Sequence, residues 1–228
     1  MPSSPPGRLR WTELKTTEFA ALPPETVAVL PVAAVEQHGP HLPVCVDACI
    51  NESLLELALG KAYDLPALLL PMQPIGKSNE HLGFAGTLTL STDTVVRLWT
   101  ELGESVRRSG VKRMLIFNSH GGQPQVADIV ARDLRVRLEM FVATVSWWQL
   151  AGLQRYFSEN ELRNGIHGGA VETSLMLYFR PDLVSMEYAA NFVSIGEALE
   201  RECRFLRPES RHGIWVAGPR PQRTRRLR

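Results

Sequence analysis

Short apolar runs at residues 26–35, 67–71, 111–117 and 140–145 alternate with stretches whose apolar residues fall at helical spacing. That alternation constrains the fold most. An apolar run too short for a helix belongs to a strand buried on both faces. Strands separated by helices assemble into a parallel sheet covered on both sides. Residues 51–62 carry leucines at 54, 55 and 59 and alanines at 58 and 62, and predict the first such helix, with residues 48–50 leading into it. Ser91-Thr92-Asp93 caps a second that runs to about Ser109, where Gly110 stops it. Residues 126–138 form an amphipathic third. Residues 11–20 read as a short helix or turn. The expected class is α/β with a mostly parallel central sheet.

Composition narrows the function classes. At 228 residues, one domain with one core is the default, and 44% hydrophobic with 21% charged residues is ordinary for a globular protein. No apolar stretch approaches the roughly 20 residues of a membrane helix. The opening Met1-Pro2-Ser3-Ser4-Pro5-Pro6-Gly7 lacks an apolar core and reads as a disordered leader over residues 1–10, not a signal peptide. Three cysteines, Cys45, Cys49 and Cys203, make no disulfide framework and suit a cytoplasmic setting. Cys45 and Cys49 read as small buried residues. Arg220, Arg223, Arg225, Arg226 and Arg228 concentrate positive charge in a tail over residues 219–228, leaving the rest mildly acidic. No nucleic-acid-binding motif accompanies that tail, so it is read as a solvated end, with neither nucleic acid nor membrane as partner.

Three polar clusters fall at strand ends or helix starts. The first is Glu36-Gln37-His38-Gly39-Pro40-His41-Leu42-Pro43, with Asp47 at the head of the next helix. In extended chain, residues two apart face one side, so Glu36 and His38 can aim at one point. The second is Asn118-Ser119-His120-Gly121-Gly122-Gln123 and the third His167-Gly168-Gly169-Ala170-Val171-Glu172. Glu172 opens an apolar helix, where an ionised carboxylate is costly unless paired or metal-bound, although the helix N-terminus offsets part of that cost. In an open α/β sheet such groups converge at the carboxyl edge of the strands. Carboxylates with imidazoles suit a divalent metal. A serine hydrolase is excluded, because no G-x-S-x-G elbow accompanies His120-Gly121-Gly122.

Taken in order, these motifs, with Glu172-Thr173-Ser174, resemble the creatininase (creatinine amidohydrolase) family over roughly residues 10–200. The resemblance implies a three-layer α/β/α domain, here 11–218, with one or two divalent ions (Zn, Mn or Fe) and a homo-oligomer, commonly a hexamer. It implies hydrolysis of a cyclic amide or formamide C–N bond in a small molecule, the metals activating water and polarising the amide carbonyl. Carried over by motif, Glu36 and His120 ligate one metal, His38 the other, and Asp47 bridges them. His167 becomes the proton shuttle to the leaving nitrogen.

The chain also departs from the pattern. Where creatininase itself has a tyrosine and a metal-binding glutamate after the histidine, this chain has Gly121 and Gly122. Glu172 is expected to replace the missing acid, as ligand and catalytic group. Creatinine is thereby disfavoured relative to substrates of the formamide-cleaving deformylases or of a mycofactocin-type maturation peptidase. Beyond His212-Gly213-Ile214-Trp215 the arginine tail replaces the family's usual continuation, so a non-catalytic scaffold is a further alternative. His81, with Glu80, either contacts substrate or holds its loop, and His41 is equally open. Trp147 and Trp148 line a pocket or fill the core.

Overall fold

The computed structural model describes residues 10–61, 65–165 and 167–190. Residues 1–9 of the expected leader, Cys203, residues 212–215 and the tail lie outside them. The described strands are β1 (Val27–Val32), β2 (Ala67–Leu69), β3 (Arg113–Asn118) and β4 (Phe141–Ser146). They form one sheet in the order β2-β1-β3-β4, all parallel. The helices are α1 (Val46–Lys61), α2 (Thr92–Arg108), α3 (Pro124–Leu138), α4 (Glu159–Asn164) and α5 (Ala170–Phe179). None of the described helices is long and apolar enough to cross a membrane.

Side chains alternate across the sheet and feed two cores. Ala28, Leu30 and Val32 of β1 and Met114 and Ile116 of β3 pack on one face with Trp99 of α2 and Val130 and Leu134 of α3. Val29 and Phe117 pack on the other face with Ile50 and Leu55 of α1 and Met176 of α5. Helices on both faces of a parallel sheet give the three-layer α/β/α architecture. Trp147 is buried in the second core and meets Trp148 edge-on, with ring centroids 5.8 Å apart.

Several boundaries differ by a few residues from those the pattern predicts. Ser91 does cap α2, its hydroxyl accepting from the Thr94 amide at 3.2 Å. The apolar run at 26–35 stays in the sheet only to Val32. Beyond it the Ala33 amide bonds Gln73, and Val35 pairs antiparallel with Leu88. Residues 11–21 form two short 3-10 turns rather than one helix.

Register sets the site. Val32 of β1 lies beside Asn118 of β3, which lies beside Ser146 of β4. The three strands therefore end level, and their following loops leave from one edge. Asn51 of α1 ties that edge together. Its amide donates to the Val32 and Phe117 carbonyls at 3.0 and 3.1 Å and contacts Ser119 Oγ at 3.1 Å. Ser119 Oγ in turn donates to the Asp47 carbonyl at 2.8 Å.

Candidate metal centre

Glu36, His38, Asp47 and His120 are all buried at this edge. Each reaches it by a different route. Glu36 and His38 sit in the loop after β1, and Asp47 in the first turn of α1. His120 follows β3 in a turn closed by Asn118, whose side chain accepts from the His120 amide at 3.0 Å and donates to its carbonyl at 2.7 Å. His167 and Glu172 arrive with the start of α5. There Gly168 adopts φ +63 and lies so close to the chain that a Cβ would stand 2.8 Å from the His38 carbonyl oxygen. Only glycine meets both demands comfortably.

His120 Nδ1 lies 3.2 Å from Glu36 Oε1 and 3.2 Å from Asp47 Oδ2. His38 Nε2 lies 3.4 Å from Asp47 Oδ1 and 3.8 Å from Glu172 Oε1. His167 Nδ1 is 3.5 Å and His81 Nε2 3.7 Å from Glu36 Oε1. The donor atoms of three overlapping sets lie within 4.8 Å of one another: Glu36, Asp47 and His120; His38, His167 and Glu172; and Glu36, His81 and His167.

The ring orientations test whether a cation fits. A carbonyl only accepts, so a nitrogen bonded to one carries the hydrogen. His38 Nδ1 donates to the Glu36 carbonyl at 3.1 Å, and His120 Nε2 to the Lys77 carbonyl at 2.8 Å. In the neutral rings this leaves His38 Nε2 and His120 Nδ1 as lone pairs aimed at carboxylates. Two of the atoms that meet there, His38 Nε2 and Asp47 Oδ2, are buried without any hydrogen-bond partner. Buried lone pairs facing anions are unfavourable unless a proton or metal stands between them. A backbone acceptor that fixes the tautomer is also how metal-binding histidines are held. The residues fit a divalent ion.

The electrostatics agree. Burial opposes a charged His38, yet Glu172, Asp47 and Glu36 raise its pKa to about 9. Burial also opposes a charged His120, but Asp47, Glu36 and Glu80 carry it well above 6.5. Burial alone would raise the Asp47 carboxyl, and the two imidazoles hold it well below the usual range. Glu172 is pushed up to about 7 by burial, against the pull of His38. His167 moves the other way, its pKa lowered well below 6.5 by burial and then by His38. Its imidazole is therefore uncharged at neutral pH.

The remaining residues singled out by the sequence lie around the cluster. His41 is buried, and its Nε2 meets Thr173 Oγ1 at 2.9 Å, which joins the first loop to α5. His81 is buried in the loop over residues 76–90 and stacks on His167 at 4.4 Å. Cys45 and Cys49 face each other at 3.4 Å, and burial, followed by Cys45, pushes the Cys49 thiol up to about 12. Three residues that the motifs did not single out also enter the site. Ser78 Oγ donates to Glu36 Oε2. The Gln37 amide nitrogen lies 3.1 Å from His81 Nδ1 and 3.0 Å from His167 Nε2. Gln123 is fully buried and bonds the Ala33 carbonyl, the Asn118 side chain and the Lys77 amide. Ser78, Gln37 and Gln123 carry no signal beyond their neighbours.

The creatininase family model, described as creatinine amidohydrolase, matches residues 9–224. The chain belongs to the creatininase family. It is 30% identical over 197 residues to the creatinine amidohydrolase of Pseudomonas putida, covering 79% of this chain and 74% of that one. It is 29% identical over 160 residues to the mycofactocin precursor peptide peptidase of Mycolicibacterium smegmatis, covering 68% of this chain and 59% of the peptidase. A crystal structure of creatinine amidohydrolase superposes with TM-score 0.68 at 29% identity, over 81% of this chain and 77% of that one.

Proposed function

We propose that this creatininase-family protein is a metal-dependent amidohydrolase that cleaves a C–N bond in a small cyclic amide or formamide. The observation that carries the reading is the pair of buried histidine nitrogens, His38 Nε2 and His120 Nδ1, that face carboxylates while the other nitrogen of each ring is fixed on a backbone carbonyl. Creatininase structures of related sequence include Mn and Zn–Zn forms, which supports a divalent ion without choosing among Zn, Mn and Fe.

Glu36, Asp47 and His120 would hold one ion, and His38, Asp47 and Glu172 a second. A divalent ion in such a site lowers the pKa of water and polarises a carbonyl. The chain's own residues supply the rest. Ser78 fixes one Glu36 oxygen, leaving Oε1 facing His120. His167, neutral and 19% exposed at its side chain, takes the proton from the attacking water and passes it to the departing nitrogen. Assembly into a homo-oligomer, a hexamer by family resemblance, belongs to the same reading and is checked by light scattering.

A second reading is peptide processing of the mycofactocin type, favoured by the 29% identity to that peptidase. The discriminating experiment offers zinc-, manganese- and iron-loaded protein a panel of cyclic amides and formamides beside C-terminal peptide substrates. Turnover of the small amides alone supports the first reading, and peptide cleavage alone replaces it with the second. A fully metal-loaded protein that turns over neither class would point to the non-catalytic scaffold.

A further inference from the structure

Glu80 and Gly122 meet behind His120. A Cβ on residue 122 would lie 1.8 Å from Glu80 Oε1 and 2.5 Å from His120 Nε2. A side chain there would have to push aside the Glu80 carboxylate or the His120 ring. Glu80 Oε1 stands 3.4 Å from His120 Nε2, and it is buried without a hydrogen-bond partner. The other carboxylate oxygen lies 3.6 Å from Lys77 Nζ. Residues 77–80 thus present two acceptors, the Lys77 carbonyl and the Glu80 carboxylate, to the same ring nitrogen. Glu80 therefore fills the space that a side chain at 122 would take. Glu172 stands across the site beside His38.

The two nitrogens of an imidazole point to opposite sides of the ring. Glu36 and Asp47 face Nδ1, while Glu80 faces Nε2. Glu80 therefore acts on an ion at the Nδ1 side through the ring. A carboxylate behind a ligating histidine fixes the tautomer and raises the basicity of the nitrogen that binds.

We propose that Glu80 is a positioning residue for the metal centre, holding His120 with Nδ1 turned to Glu36 and Asp47, and that glycine at 122 leaves the space its carboxylate fills. This rests on the metal-centre reading above. The alternative is that Glu80 merely anchors its loop through Lys77.

The test is zinc affinity by chelator competition on the full-length chain, with thermal melts of the metal-free proteins alongside. Glu80→Gln keeps the shape and removes the charge, and is expected to weaken zinc binding about 10–100-fold. Gly122→Ala keeps the Glu80 residue but displaces its carboxylate, and should give a loss of the same size. The double variant should be no more than about twofold weaker than the weaker single variant, because both changes break one contact. Lys77→Ala keeps the backbone carbonyl and should stay within about threefold of wild type if the carboxylate, not the loop anchor, is what matters. Zinc binding by Glu80→Gln within about twofold of wild type overturns the proposal, as does full additivity in the double variant. If Gly122→Ala fails to fold, Glu80→Gln decides the matter alone. A wild type that binds no zinc overturns the metal-centre reading itself, a result distinct from failure of the Glu80 role.

Discussion

His38 and His120 show how a few backbone contacts turn ordinary side chains into a cation site. Each spends one nitrogen on a carbonyl and has the other left among carboxylates. Without a metal, a proton must take the metal's place, which makes the metal-free protein sensitive to pH in a definite direction. The folded-state pKa of His38 is about 9, above its ordinary 6.5. Its contribution to stability is therefore complete below 6.5 and lost as pH rises through 9. Glu172 acts in the same sense, because its folded pKa of about 7 exceeds 4.5 and its contribution fades as pH rises through 7. We expect the urea midpoint of the metal-free protein to fall between pH 6.5 and 9, and that of the zinc-loaded protein to fall much less, since metal replaces the proton. A metal-free midpoint that is flat or rises over this range would contradict the assignment of these charges.

At the scale of elements, the start of α1 is welded to the ends of β1 and β3 by Asn51, which satisfies two strand-end carbonyls. Asn51→Ala removes both bonds from a buried edge, although the Val32 carbonyl keeps the Ser119 amide, and should cost about 1–3 kcal/mol of stability in urea unfolding. It should also weaken metal binding, because Asp47 sits one turn earlier on the same helix. Unchanged unfolding and unchanged metal affinity would show that the helix start is held by packing alone. The elements themselves were largely legible in the sequence. Apolar runs marked all four described strands, and Ser91 and Gly110 marked the ends of α2, because these signals are local. The site was legible as far as its residues stand at strand ends and helix starts, as Glu36, Asp47, His120 and Glu172 do. Asn51, Ser78 and Gln123 were not, since their value comes from partners 19 to 90 residues away. The pairing of Glu80 with Gly122 belongs to the same class. A glycine beside a histidine reads as backbone freedom until the loop that fills its space is seen.

For the whole molecule, the level ends of β1, β3 and β4 explain why residues from distant segments share one site. Two cores hold the sheet rigid between helical layers, and the polar groups collect at one edge where no core residue is needed. Trp99, completely buried where α2 meets the sheet, is a sensitive point of that frame. Truncation to alanine should cost about 3–5 kcal/mol, measured by urea unfolding, and a loss under about 1 kcal/mol would mean the layer is packed differently. The central claim, however, is that this edge is a metal centre. It is tested most directly by elemental mass spectrometry of full-length wild type and Asp47→Ala, purified without chelators or a histidine tag. We predict about one or two equivalents of Zn, Mn or Fe per wild-type chain and a near-complete loss in Asp47→Ala. Wild-type protein holding less than about a tenth of an equivalent, even after incubation with each metal, would contradict it.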